Sequence, residues 1–278
     1  MSIPGPMLEP CERDGVRVWR DRALQAEKGV IVAFSERTGG VSESPFDSLN
    51  LAAHVGDSPA AVDENRLRLL HALDLSETRG SLVTAEQVHG DAISIVGAGE
   101  KGRGAFASRG QGPLLATDAL ITRVPSVPLL LCFADCVPVV LVAPGPVVAV
   151  VHAGWRGALA SLPGRAVERL ASVSGAEARR IVAYVGPHVR ACHYEVNDHV
   201  MSQFVNTFGT LARADSGGLD LEATVTASLT DAGVLQCNIA RLGTCTAEAT
   251  DRFFSFRAER GHTGRHSALA CILPLAHS

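Results

Sequence analysis

Residues 127–152 read VPLLLCFADCVPVVLVAPGPVVAVVH, three apolar runs (127–133, 137–142 and 147–151) parted by Ala134-Asp135-Cys136 and by Pro144-Gly145-Pro146. The runs are continuous rather than alternating, which predicts short strands covered on both faces. A membrane span would need about 20 unbroken apolar residues. Here Asp135, Pro138, Pro144, Gly145 and Pro146 cut the stretch into pieces of about seven, the length of buried strands.

On the N-terminal side, Gly29 to Phe34 predicts another apolar strand, followed by a glycine turn at Arg37-Thr38-Gly39-Gly40-Val41-Ser42. Pro59 to Leu73 predicts a helix, with proline early and Val62, Leu69, Leu70 and Leu73 near helical spacing. Leu82–Val88 and Ala92–Val96 read as two strands joined through His89-Gly90-Asp91. Residues 97–116, rich in glycine, read as a flexible surface loop rather than a lid. On the C-terminal side, a helical segment from Gly154 to about residue 173 is bent or restarted at Pro163. Ile181–Val185 predicts a strand, 195–208 and 220–232 helices, and Arg252–Phe256 and Ser267–Leu273 closing strands. No repeat or Pro/Gly/Ser-rich linker divides the chain, so residues 1–278 are expected to form one domain.

Hydrophobic residues make up 46% and charged residues 19%, the balance of a chain with a large buried core. A net charge of −4, with Arg179-Arg180 as the densest basic stretch, excludes an electrostatic footprint for nucleic acid or a membrane surface. Met1 to Pro10 has no basic region and no apolar core, so it is no signal peptide. The 7 cysteines are then expected to be reduced thiols, and the protein soluble and cytoplasmic.

Three of the predicted turns carry a metal-type ligand: Gln87-Val88-His89-Gly90, Ala134-Asp135-Cys136-Val137-Pro138 and His152-Ala153-Gly154-Trp155-Arg156-Gly157. A His/Cys/His set can hold a catalytic metal with one position open, and Cys136 with His152 can equally form a nucleophile–base pair. Spacing alone leaves both open. The amides of Gly154 to Gly157, at an expected helix start, and the fork of Arg156 offer an anion site. His188, Cys192 and His193 form a rival local cluster.

With these motifs the chain resembles the YfiH family, known also as the multicopper polyphenol oxidoreductase (laccase) domain and as peptidoglycan editing factor. The likeness runs from about residue 33 to 273. It rests on Thr38-Gly39-Gly40-Val41-Ser42, Ser48-Leu49-Asn50-Leu51, His54-Val55-Gly56-Asp57, Glu64-Asn65-Arg66 and Thr117-Asp118-Ala119-Leu120, together with the three ligand motifs. Gly186-Pro187, Tyr194-Glu195-Val196, Cys245-Thr246, Phe253-Phe254-Ser255-Phe256-Arg257 and Thr263-Gly264-Arg265 complete it.

The resemblance implies a single α/β domain with a mixed β-sheet core flanked by helices, and zinc held by His89, Cys136 and His152 as the catalytic centre. It implies phosphorolysis of adenosine, inosine and methylthioadenosine, with adenosine deaminase activity in addition; copper-dependent phenol oxidation and cell-wall precursor editing are the family's other labels. Arg37 and Asn50, with Arg156, are the residues expected to touch ribose or phosphate, and Asp135 and Gln87 to orient the ligands. Multicopper chemistry is the weaker expectation, since the chain has 3 Met, two of them near the N-terminus. Two positions depart from the family pattern: Phe256 stands for a Tyr and Ala258 for an Arg. Both bear on an anion contact or a pocket wall.

Overall fold

The computed structural model describes residues 3–274; Met1 and Ser2 of the N-terminal stretch lie outside them. The α/β architecture that the resemblance implied, a β core flanked by helices, is present, its core built of two sheets standing back to back. The first holds β1 (Glu9–Arg13), β2 (Val16–Arg20), β3 (Val30–Ser35), β11 (His266–Ile272) and β6 (Leu129–Phe133), in that order and antiparallel throughout. The second is mixed: β10 (Ile239–Arg241), β9 (Val182–Val185), β7 (Val137–Ala143), β8 (Val147–Ala153), β5 (Ala119–Thr122) and β4 (Ile93–Val96). Helix α1 (Arg22–Lys28) precedes β3, and α2 (Pro59–Ala72) covers the outer face of the first sheet. Helices α3 (Trp155–Leu159), α4 (Leu162–Ser174), α5 (Asp198–Phe208) and α6 (Leu221–Asp231) cover the second.

Strand parity sorts the apolar runs between these layers. Val140, Val142, Val148 and Val150 meet Val32, Phe34, Leu129 and Leu131 between the sheets, while Val139, Leu141, Ala149 and Val151 face the helices. Burying each of the Val, Leu and Phe side chains contributes ~1.5–3 kcal/mol. Every residue of β7 and β8 is buried, so no solvent-facing position interrupts the pattern.

Four local expectations fail. Residues 82–88 are extended but make only isolated bridges, Val83 to Leu129 and Ala85 to Leu114, so no hairpin joins them to β4. Residues 252–256 form an irregular, bent segment between two turns and no strand, although Phe253 and Phe254 are fully buried. Their apolar character comes from packing rather than from a ladder. The 97–116 loop is pinned to α2: Arg66 donates to Gly104 O (2.8 Å), and Asp63 accepts from Ala107 N (2.6 Å). α3 is five residues long, too short for the helix-start anion site expected at Gly154–Gly157.

Candidate active site

The same parity that builds the core places His152. It follows Val148 and Val150 onto the face between the sheets, near the end of β8, with its ring 5.4 Å from that of Phe133. β5 begins opposite Val151, so Asp118, just ahead of it, comes level with His152 and its carbonyl accepts the His152 amide (2.7 Å). The buried Asp118 carboxylate then meets Nδ1 of His152 at 2.8 Å. It also accepts three consecutive amides, from Val88 (3.3 Å), His89 (3.0 Å) and Gly90 (2.7 Å). One carboxylate therefore fixes the His152 ring and the backbone that carries His89. Asp118 performs the orienting that the sequence assigned to Asp135 and Gln87.

Gln87 instead clips its extended segment to β6, its amide exchanging bonds with Cys132 N and O (both 2.8 Å). Asp135 is a corner post at φ 85° that accepts from Thr246 Oγ1 and Arg257 N (both 2.7 Å). Cys136 follows it into β7. His89 also lies in the left-handed region, at φ 58°. Such backbone persists only where the surroundings over-determine it, and here both instances flank one cluster.

The donor atoms of His89, Cys136 and His152 all lie within 4.8 Å of one another, a set able to hold a metal ion. With Nδ1 of His152 committed to Asp118, Nε2 is left for the cluster. The rings of His89 and His152 are 4.8 Å apart, nearly perpendicular. Burial pushes the Cys136 thiol up, but the imidazoles of His152 and His89 outweigh it and bring it down to about 6. Burial likewise pulls His152 down, and Cys136 and Asp118 hold it up at about 9. Burial would raise the Asp118 carboxyl; His152 and the Gly90 and His89 amides keep it below the usual carboxylate range.

Gly154 closes the cluster. Its φ of −67° is open to any residue, yet a Cβ there would stand 2.8 Å from His89 Cδ2 and 3.4 Å from Cys136 Sγ. Gly154→Ala should therefore fold normally but displace His89. The expected result is a ~10- to 100-fold loss of metal affinity, the scale of disturbances just outside a metal's ligands, read by competition with a chromophoric chelator.

The cluster opens into a cavity of about 620 Å³, a volume suited to a small-molecule ligand. Arg156, Arg257, Arg260 and Arg265 line it, while the acidic lining is Asp135, whose oxygens are already engaged. Three arginines lie over cavity aromatics: Arg156 over Trp155 (4.4 Å), Arg257 over Tyr194 (4.9 Å) and Arg265 over Phe256 (5.6 Å). Of the three residues expected to touch ribose or phosphate, Arg156 lines this cavity. Arg37 and Asn50 do not, and direct contact with ribose or phosphate is withdrawn for both. Arg37 is buried, donating to Asp47 O (2.8 Å), Thr250 O (2.7 Å) and Glu259 (2.9 Å). Asn50 is wholly buried; its Oδ1 accepts the Arg265 amide (2.9 Å), so it sets the chain that carries a cavity arginine. Arg257, Arg260 and Arg265 went unassigned in the sequence; the one available signal was their crowding into a Gly-bearing turn just before β11.

A family model described as multi-copper polyphenol oxidoreductase laccase matches residues 31–273. The chain belongs to that family. A relative from Bacillus subtilis (strain 168), "Purine nucleoside phosphorylase YlmD", is 34% identical over 249 residues, covering 87% of this chain and 88% of its own. The crystal structure of YlmD from Geobacillus stearothermophilus superposes with a TM-score of 0.86 at 32% identity, covering 99% of this chain and all of that one. A Bacillus licheniformis hypothetical protein YfiH gives a TM-score of 0.85 at 32% identity, covering 94% of this chain and 97% of that one. The family implies metal binding, and its YlmD members are named as enzymes acting on small molecules. Among the described residues no helix is long and apolar enough to cross a membrane.

Proposed function

We propose that the protein is a zinc-dependent purine nucleoside phosphorylase acting on adenosine, inosine and methylthioadenosine, with adenosine deaminase as a side activity. The observation that carries this is the lining of one cavity: a His/Cys/His donor cluster beside arginines stacked on aromatic faces. A purine base suits the faces of Trp155, Tyr194 and Phe256, and inorganic phosphate the guanidinium groups. The donor set, two imidazoles and one thiol with depressed pKa around a glycine cradle, fits zinc with a position left for substrate. Zinc held by His89, Cys136 and His152 would supply Lewis-acid polarisation of phosphate or water. The chain's own groups do the rest. Arginines orient phosphate toward C1′ of the ribose as the C1′–N9 bond breaks, and Asp118 keeps the proton of His152 on Nδ1. A phosphate oxygen bonds to C1′ and the base leaves with the proton that phosphate gives up, so the products are free base and ribose-1-phosphate, or 5-methylthioribose-1-phosphate from methylthioadenosine.

Arg260 tests the anion role, because it lines the cavity two residues beyond Ala258, where the family pattern has its arginine. Losing a charge-assisted contact costs about 1.5–3 kcal/mol. Arg260→Ala should therefore raise KM for phosphate ~10- to 100-fold with little change in KM for inosine. An unchanged phosphate KM would remove Arg260 from the anion site.

One observation favours a second reading. Asp118, His152 and Cys136 line up as orienter, base and nucleophile, so without metal the same residues make a hydrolase triad of the kind that could edit cell-wall precursors. In chelator-treated protein the Cys136 thiolate is favoured above about pH 6, held by its imidazole partners against the cost of burial. Its alkylation by iodoacetamide should stay fast at pH 7 and fall only as the pH drops through about 6, whereas an ordinary thiol slows below ~8.5. The zinc enzyme loses activity on chelation; a triad hydrolase keeps it. Copper-dependent phenol oxidation ranks last, since the chain has 3 Met, two of them near the N-terminus.

A further inference from the structure

Away from the cavity cluster, the fold assembles a second set of donors that the sequence reveals only in part. Cys192 and His193 sit in the turn after β9, and Cys245 and Glu248 in a turn more than fifty positions later. The chain brings them together because His188 bridges Cys245, and the Thr246 amide donates to His188 O (3.1 Å). His188 itself stays out: it is buried, with Nδ1 on Gly186 O (2.9 Å).

All four donor atoms lie within 4.8 Å of one another. Nδ1 of His193 is 3.2 Å from Cys192 Sγ, 3.9 Å from Cys245 Sγ and 3.4 Å from Glu248 Oε1. Cys192 Sγ is 3.3 Å from that same oxygen and 4.0 Å from Cys245 Sγ. Bonds of ~2.0–2.3 Å at tetrahedral angles place ligand atoms ~3.3–3.8 Å apart; the five separations, from 3.2 to 4.0 Å, lie within a few tenths of an ångström of those edges. The two sulfurs are not a disulfide, which would hold them ~2.05 Å apart. The Arg190 amide donates to Cys245 Sγ (3.4 Å).

We propose that Cys192, His193, Cys245 and Glu248 form a second metal site, a closed four-ligand site of the structural zinc class. Two thiolates, an imidazole and a carboxylate select a borderline-soft divalent ion over magnesium or calcium. The site staples His193-Tyr194 to Cys245-Thr246. Tyr194 is a wall of the cavity, and Thr246 bonds the Asp135 corner post beside Cys136, so the staple sets the geometry of the active site without touching substrate.

The test is zinc per chain by elemental mass spectrometry in the natural chain, Cys136→Ser, Cys192→Ser and His193→Ala. Cys192 and His193 are exposed, so their replacement spares the core. Cys192→Ser and His193→Ala should each hold one zinc fewer than the natural chain, whatever the first cluster holds. Cobalt(II) in Cys136→Ser should show thiolate-to-metal charge-transfer absorption that Cys192→Ser added to it removes. Equal zinc in the natural chain and both exposed-site variants would overturn the proposal. So would a cobalt spectrum of Cys136→Ser without thiolate bands. Retention of zinc by Cys136→Ser together with its loss in Cys192→Ser would sustain the second site even if the first held none.

Discussion

Replacing Cys136 with alanine should lower kcat/KM for inosine and adenosine phosphorolysis by ~10³-fold or more. Members of a catalytic unit typically cost ~10⁴- to 10⁶-fold singly, and their effects do not add. Cys136 is the sulfur on which both imidazoles converge. Its loss removes one of the three side chains that would hold the metal, the one both imidazoles face. The double variant Cys136→Ala/His152→Ala should then be little worse than either single one. Steady-state kinetics on variants of checked fold decide it. Independent, multiplying losses would mean that the two residues do not work as a unit.

Asp118→Asn should have the next largest effect. The substitution keeps the shape but removes the charge that binds His152 Nδ1 and three amides. Carboxylates that orient metal-binding histidines are worth ~10- to 100-fold in affinity or activity, and that loss is expected here. A stability effect accompanies it. The folded Asp118 pKa is depressed, so its contribution is fully present above the unfolded value of ~3.9 and is lost as the pH falls below it. The variant should lack that part of the natural chain's acid sensitivity. Thermal melts from pH 7 down to pH 3, run on both proteins, check the sign: the gap between their melting temperatures should narrow toward low pH.

Much of the architecture was written into local pattern. β6, β7 and β8 were readable because both their faces are covered, which leaves the apolar signal unbroken. α4 was readable as a restart because Pro163 falls in its first turn. The failures share a physical cause: hydrophobicity reports burial, not hydrogen-bond pairing. Phe253 and Phe254 are fully buried yet lie outside any strand. The extended segment 82–88 is held by scattered backbone bonds to residues 103, 114, 117, 128 and 130 and by the Gln87 side chain, in place of one continuous ladder. β1, with exposed Pro10, Glu12 and Arg13, and the three-residue β10 carry too little apolar pattern to be seen.

The site divides along the same line. His89, Cys136 and His152 could be named from residue type, but whether they share a site could not be, since their convergence depends on sheet register. Asp118 was invisible as an orienting group for that reason: its partner lies 34 positions away and becomes a neighbour only through the pairing of β5 with β8. Arg37 and Asn50 misled because a buried polar residue that ties loops together has the same composition signature as one that binds substrate. Cys245 and Glu248 join Cys192 and His193 only when the chain is folded.

The decisive measurement is the product of inosine cleavage by the zinc-loaded protein, followed by ³¹P NMR with and without inorganic phosphate. Ribose-1-phosphate should appear in step with hypoxanthine, and neither should form when phosphate is withheld. Free ribose at equal rates in both samples, or no cleavage of inosine, adenosine or methylthioadenosine by folded, zinc-loaded protein, would contradict phosphorolysis at this site.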